Sequence, residues 1–346
     1  MAMKTFFWLI NFWRGLGALV LFLGAMSTAN AADTPGTPTT ATTDIPTIFI
    51  VSDSTANNNA NGGQGWGRPF AEYFDPAKVR VVNSAIAARS SRSYIVEGHW
   101  DQVLGKIKAG DYVLLQFGHN DTGTPNENPR GDRPSLPGLG EDTVALTNAG
   151  SHQPETVHTY GWYMRKYIAD AQAKGAHVVV VTVTVRDIWS NPNAEFGTAL
   201  TETANIFSQK DNYNPAEDKV ERGLDDGHGH NYAEECKEIA KAAQIPLVDL
   251  TDMNADKFEK MGREQAKLFY QTKNTDHTHT NPAGADFNAA SIVSGLKALK
   301  DSPFLVLLSD KGKAVPAAEV KYVADNLPET KPVDAKPTEA AASSAH

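Results

Sequence analysis

The sequence predicts an α/β fold: a five-stranded parallel sheet with helices packed on both faces. Three observations predict it. Strand-like and helix-like stretches alternate along the chain. Val178 to Val185 is an unbroken, β-branched run, which suits a central strand covered on both sides. Polar motifs directly follow three of the five strands. Ligands of parallel sheets collect beyond the carboxyl ends of the strands, so those motifs are expected to share one site.

The elements follow in order. Ile45 to Val51 is the first strand and ends in Ser52-Asp53-Ser54-Thr55. A short helical piece covers Phe70 to Phe74, and Lys78 to Val82 is the second strand, followed by the polar stretch Asn83 to Arg92. His99 to Lys108 carries Trp100, Val103, Leu104 and Ile107 at helical spacing. Tyr112 to Phe117 is the third strand and runs into Gly118-His119-Asn120-Asp121. Thr159 to Lys174 is a strong helix, Val178 to Val185 the fourth strand, Asn231 to Ala243 a helix and Pro246 to Leu250 the fifth strand. Residues 252–270 read as a less regular helix. Asn281 is a good N-cap and Pro282 a good first residue for a last helix carrying Ala285, Ala289, Ile292, Leu296 and Leu299 on one face. Phe304 to Leu308 fits either an extra strand or a packing segment. Two polar insertions, 122–157 and 186–231, leave strand carboxyl ends and are long enough to wall a groove.

The chain has 346 residues, 41% hydrophobic and 21% charged, with a net charge of −9. Nothing supplies a phosphate-neutralising face, so nucleic acid is not an expected partner. The lone Cys236 excludes an intramolecular disulfide and a cysteine zinc site, and it reads as a packed thiol. A charged start at Lys4, an apolar run from Gly15 to Met26 and an A-x-A pattern at Ala29 and Ala31 predict a cleaved signal peptide over residues 1–31. A secreted or periplasmic protein without stable membrane association is then expected. A linker at 32–45, one domain at 46–300, a packed C-terminal extension at 301–327 and a disordered tail at 328–346 complete the plan. A monomer is expected.

The candidate chemistry pairs the two ends of the chain. Asp276 and His279 stand three residues apart on a turn pinned by the last helix. An oriented histidine is a base at neutral pH. Ser54, at the end of the first strand, is the hydroxyl it would activate. The backbone N–H groups of Ser54 and Ala88 and the Asn120 amide are the candidate oxyanion donors. No G-x-S-x-G elbow carries Ser54, which disfavours an α/β-hydrolase architecture. Arg89, Arg92 and Arg186 either hold the carboxylates of an acidic substrate or sit in ion pairs. Trp66 either stacks on a substrate ring or packs in the core. His277 is a further substrate candidate. The Asp225-Asp226-Gly227-His228-Gly229-His230 loop fits no firm metal template and reads as solvated.

Ser52-Asp53-Ser54, Asn83 to Arg92, Gly118-His119-Asn120-Asp121 and Asp276-His277-Thr278-His279 resemble, in order, the four blocks of the SGNH (GDSL) hydrolases. Gly65-Trp66-Gly67, Arg89 to Tyr94, Phe117 to Asp121 and Asp276 to Ala285 resemble rhamnogalacturonan acetylesterases more narrowly. The resemblance covers about residues 46–300. It implies a flavodoxin-like three-layer sandwich, a serine nucleophile with a D-x-x-H dyad, no metal and no cofactor. It implies removal of acetyl groups from pectic polysaccharide, a plant cell-wall polymer. Two positions depart from the family pattern: Ser52 and Ala88 stand where glycine is usual. Ala88 keeps the N–H but would be strained if its φ is positive. The rival readings are the same chemistry on xylan acetate, a lipid or a thioester, and a catalytically silent glycan-binding protein.

Overall fold

The computed structural model describes residues 45–127, 131–190, 218–224, 230–270 and 276–326. The expected signal peptide, nearly all of the linker and the C-terminal tail lie outside the described residues. Strand β1 is Thr47–Val51. Helix α1, Gly67–Phe70, leads through a 3₁₀ turn to β2, Arg80–Asn83. Helices α2, Ser91–Val96, and α3, His99–Leu104, precede β3, Tyr112–Leu115. The hairpin β4, Thr143–Thr147, and β5, Pro154–His158, comes next. Then follow α4, Tyr160–Ala173, and β6, His177–Val181. A second hairpin pairs β7, Trp189–Ser190, with β8, Lys219–Val220. The chain closes with α5, Tyr232–Ala242, β9, Leu247–Val248, α6, Leu250–Met261, and α7, Arg263–Ala266. Last are α8, Pro282–Ala298, α9, Asp310–Ala314, and β10, Val323–Ala324.

The main sheet runs β2-β1-β3-β6-β9-β10. Its first five strands are parallel, in the flavodoxin-like order, and β10 adds an antiparallel edge. The sheet therefore has six strands rather than the expected five. The central strands are buried on both faces because alternate side chains enter two separate cores. Phe49, Val51, Val113, Leu115, Val178 and Val180 pack with α4 and α5 through Tyr160, Met164, Tyr167 and Ile239. Ile48, Ile50, Leu114, Val179 and Val181 pack with α8 through Ala289, Ile292, Val293 and Leu296.

The helices begin where the side chains cap them. Thr159, Asn231, Asp249 and Asn281 each accept a backbone N–H from the first turn that follows. One local expectation changes, one open alternative is settled, and two further elements appear. Residues 252–270 are not one helix: Gly262, at φ +85°, ends α6, and a short α7 and a 3₁₀ turn follow. Phe304 to Leu308 takes the packing alternative, as a 3₁₀ turn with Phe304 and Leu307 buried. The first insertion holds a hairpin, largely solvent-exposed, so its strands lack the apolar alternation that betrays a half-buried strand. Helix α2 was hidden by its own composition. Its buried face is Ser91, Arg92, Ser93 and Tyr94, and it opens with a capping box between Ser90 and Ser93.

Candidate active site

The nucleophile candidate sits on a turn made by its own neighbour. Asp53 Oδ1 accepts the Thr55 N–H and the Thr55 hydroxyl, both at 2.8 Å. The N–H groups of Ala56 and Asn57 donate to the Asp53 carbonyl. This turn presents Ser54 with only 9% of its surface exposed. Beneath it lies Gln116, a buried residue of the third strand's end. Gln116 Oε1 accepts from Trp66 Nε1 at 2.8 Å and Thr55 Oγ1 at 3.2 Å, and its amide donates to the Thr182 carbonyl at 2.7 Å. One side chain thus ties together the ends of three neighbouring strands.

The candidate base comes from the turn before α8. Asp276 Oδ1 accepts the N–H groups of Thr278 and His279, each at 2.9 Å. Asp276 Oδ2 lies 2.7 Å from His279 Nδ1. A carboxylate accepts only, so Nδ1 carries the proton and Nε2 is left bare. Nε2 lies 2.8 Å from Ser54 Oγ. Burial raises the Asp276 carboxyl, but the His279 and Thr278 N–H groups and the imidazole outweigh it and hold the acid below its ordinary value. Outside contacts lock the turn. The Gln64 N–H and Thr280 carbonyl, and the Thr280 hydroxyl and Gln64 carbonyl, each pair at 2.9 Å. The Asp187 N–H donates to the His277 carbonyl at 2.7 Å.

The oxyanion candidates lie on the neighbouring loops. Asn120 Nδ2 donates to the Arg89 carbonyl at 3.2 Å, which sets the amide against the backbone that carries Ala88. Ala88 has φ +65°, the left-handed region. This position demands the conformation that glycine adopts freely, and alanine holds it under strain.

Buried ionisable groups surround these atoms. Burial pushes the Asp53 carboxyl up to about 6 against the hydrogen bonds from Thr55 and the nearby His279 and Asn120 side chains. Burial pushes Asp121 up to about 7; it grips the N-terminus of α2 through the Ser91 N–H and hydroxyl. Burial, with Arg186 and His279 nearby, pushes His119 down to about 3, and its Nε2 pairs with Thr184 Oγ1 at 2.9 Å.

Residues 50–287 match the GDSL-like lipase/acylhydrolase family. The chain belongs to that family. It is an SGNH esterase, a carboxylic ester hydrolase. A rhamnogalacturonan acetylesterase of Emericella nidulans is 33% identical over 261 residues, covering 74% of this chain and 88% of that one. A probable rhamnogalacturonan acetylesterase of Bacillus subtilis, YesY, is 25% identical over 257 residues, covering 73% and 93%. The solved Bacillus subtilis protein YxiM shares the fold, with a TM-score of 0.50 and 24% identity over 73% of this chain and 56% of that one.

The esterase brings Ser54, Asp276 and His279 together, and separates the residues expected against substrate. Trp66 is fully buried and hydrogen-bonded to Gln116, so it offers no face to a sugar. Arg92 is fully buried too: its fork closes on Glu155 at 2.7 and 2.8 Å, and Nη1 donates to the Gly131 and Pro134 carbonyls. Neither can touch a polymer, because both are consumed by internal partners. Arg186 is part-exposed, but its fork closes on Glu221 at 2.7 and 2.6 Å. Arg89 pairs with Glu97 at 2.6 Å. His277 is exposed, two residues from His279. Sequence reasoning missed Gln116, since a glutamine ending a strand looks like any solvent-facing residue. Among the described residues no three His, Cys, Asp or Glu side chains converge as for a metal. Residues 225–229 of the acidic His-bearing loop lie outside the described residues, while His230 pairs with Glu235 at 2.9 Å.

Proposed function

We propose that this esterase is exported and removes acetyl groups from pectic polysaccharide, with Ser54 as nucleophile, His279 as base and Asp276 as its orienting carboxylate. One observation carries the reading. The 2.8 Å contact from His279 Nε2 to Ser54 Oγ, backed by the 2.7 Å contact from Asp276 to Nδ1, is the geometry a serine acyl-transfer reaction needs. The acetylesterase relatives support acetate as the acyl group and pectin as the carrier.

In the proposed cycle His279 Nε2 takes the Ser54 proton as Oγ attacks the acetyl carbonyl carbon. Asp276 stabilises the imidazolium that forms. The N–H groups of Ser54 and Ala88 and the Asn120 amide receive the negative oxygen of the tetrahedral intermediate. Its collapse breaks the bond to the sugar oxygen, which leaves with the proton from Nε2. Water then attacks the acetyl-enzyme, giving its proton to Nε2, and acetate departs as Ser54 Oγ takes that proton back.

Acetate release from a panel of acetylated pectins and xylans tests the substrate. Preferential release from rhamnogalacturonan is expected, and release from xylan alone sinks the pectic reading. A p-nitrophenyl ester series should favour acetate over octanoate. An organophosphonate should label Ser54; an unlabelled serine would mean a silent binding protein.

A further inference from the structure

The first insertion and α2 border an open cleft of about 490 Å³, within the range of roughly 300–1,000 Å³ common for ligand sites. Ser93, Val96 and Glu97 form one wall, and Asp132, Gln153 and Glu155 the other. A chain of contacts joins it to the oxyanion region. Glu97 accepts from Arg89 Nε at 2.6 Å, and the Arg89 carbonyl accepts from Asn120 at 3.2 Å. The cavity therefore lies along α2, two contacts away from Asn120, a candidate oxyanion donor.

The lining chemistry selects a ligand. Val96 is 43% exposed, a large apolar side chain facing solvent on a helix that buries polar residues. The carboxylates that line the cavity are unequally neutralised. Glu155 is matched by buried Arg92, and Glu97 by Arg89. Asp132 has no ion-pair partner among the described residues. The cavity is left with hydrogen-bond acceptors and a residual negative charge. It repels a uronate carboxylate, accepts sugar hydroxyls, and offers Val96 to the apolar face of a ring.

We infer that this cavity is a glycan subsite for a neutral sugar residue, flanking the acetylated residue of the same polysaccharide chain. The inference rests on the polysaccharide reading above and adds a location and a sugar class to it. The rigid Arg92–Glu155 strut holds the wall in place, so the subsite is preformed.

The test compares acetylated rhamnogalacturonan oligosaccharides with p-nitrophenyl acetate, which is too small to span both places. Val96→Trp fills the cavity from an exposed position. Its ratio of kcat/KM on the oligosaccharide to that on p-nitrophenyl acetate should fall at least about fivefold, through KM. Asp132→Asn keeps the shape while removing the charge, and its ratio should fall in the same direction. Wild-type activity on the oligosaccharide with both ratios unchanged overturns the subsite alone. Wild-type protein that cleaves p-nitrophenyl acetate but no acetylated pectin overturns the polysaccharide reading and the subsite with it.

Discussion

Arg92 donates both Nε and Nη2 to Glu155, at 2.7 and 2.8 Å, from a position with no exposed surface. The pair crosses from α2 to β5 and clamps the first insertion beside the candidate site. Arg92 Nη1 also donates to the Gly131 and Pro134 carbonyls, so the same guanidinium satisfies two backbone acceptors of the insertion. Arg92→Ala leaves the part-buried Glu155 without its cation and empties a fully buried site, a loss expected to cost on the order of 2–3 kcal/mol. The midpoint of urea unfolding reads it, and an unshifted midpoint would show that the strut is dispensable.

Ala88 sits at φ +65°. Ala88→Gly relieves about 1–2 kcal/mol of left-handed strain and returns about 0.4–1 kcal/mol through the looser unfolded chain, so a net gain of up to about 1.6 kcal/mol is expected with activity retained. Ala88→Pro removes the N–H and forces φ to negative values, and should abolish turnover. Retained activity in the proline variant would take Ala88 out of the oxyanion site.

Asp276→Asn should lower kcat on p-nitrophenyl acetate by roughly 10⁴-fold. An amide in place of the carboxylate can donate to Nδ1, which moves the imidazole proton to Nε2, where it blocks acceptance from Ser54. A variant within tenfold of wild type would show that Asp276 does not set the tautomer.

Asp53 gives a stability prediction with a definite sign. Its folded value of about 6 lies above the ordinary carboxylate value, because burial disfavours the charge. The folded state therefore binds the proton more tightly, and stability falls as pH rises from about 4 to about 6. The full penalty, on the order of 2–3 kcal/mol, applies above that window. Asp53→Asn keeps an oxygen for the Thr55 donors and removes the penalty. Its Tm should exceed that of the wild type at pH 7, with little difference at pH 4. Equal Tm values at pH 7 would mean that Asp53 is not an ionised burden.

Much of this was legible in the sequence, and the pattern of failure is physical. The β-branched runs marked the parallel strands, since a strand buried on both faces must be apolar throughout. Asn281 and Pro282 announced the start of α8 through local cap chemistry. Hairpin β4–β5 stayed hidden because most of its residues face solvent, and α2 because polar side chains fill its buried face. At Ala88, the glycine usual at that position in the family flagged the strain that the backbone angle displays.

By itself the sequence determined the layer architecture and the order of the strand-end motifs, because those follow from local periodicity and turn chemistry, and the family resemblance of those motifs singled out Ser54, Asp276 and His279 as candidates. Tertiary structure alone decided what each long polar side chain does. Arg92 meets Glu155 across 63 positions, Arg186 meets Glu221 across 35, and Trp66 meets Gln116 across 50. An arginine near a site has the same local signature whether it awaits a ligand or is already paired. Only the folded chain supplies the partner, since a buried charge or indole N–H must find one wherever the fold brings it.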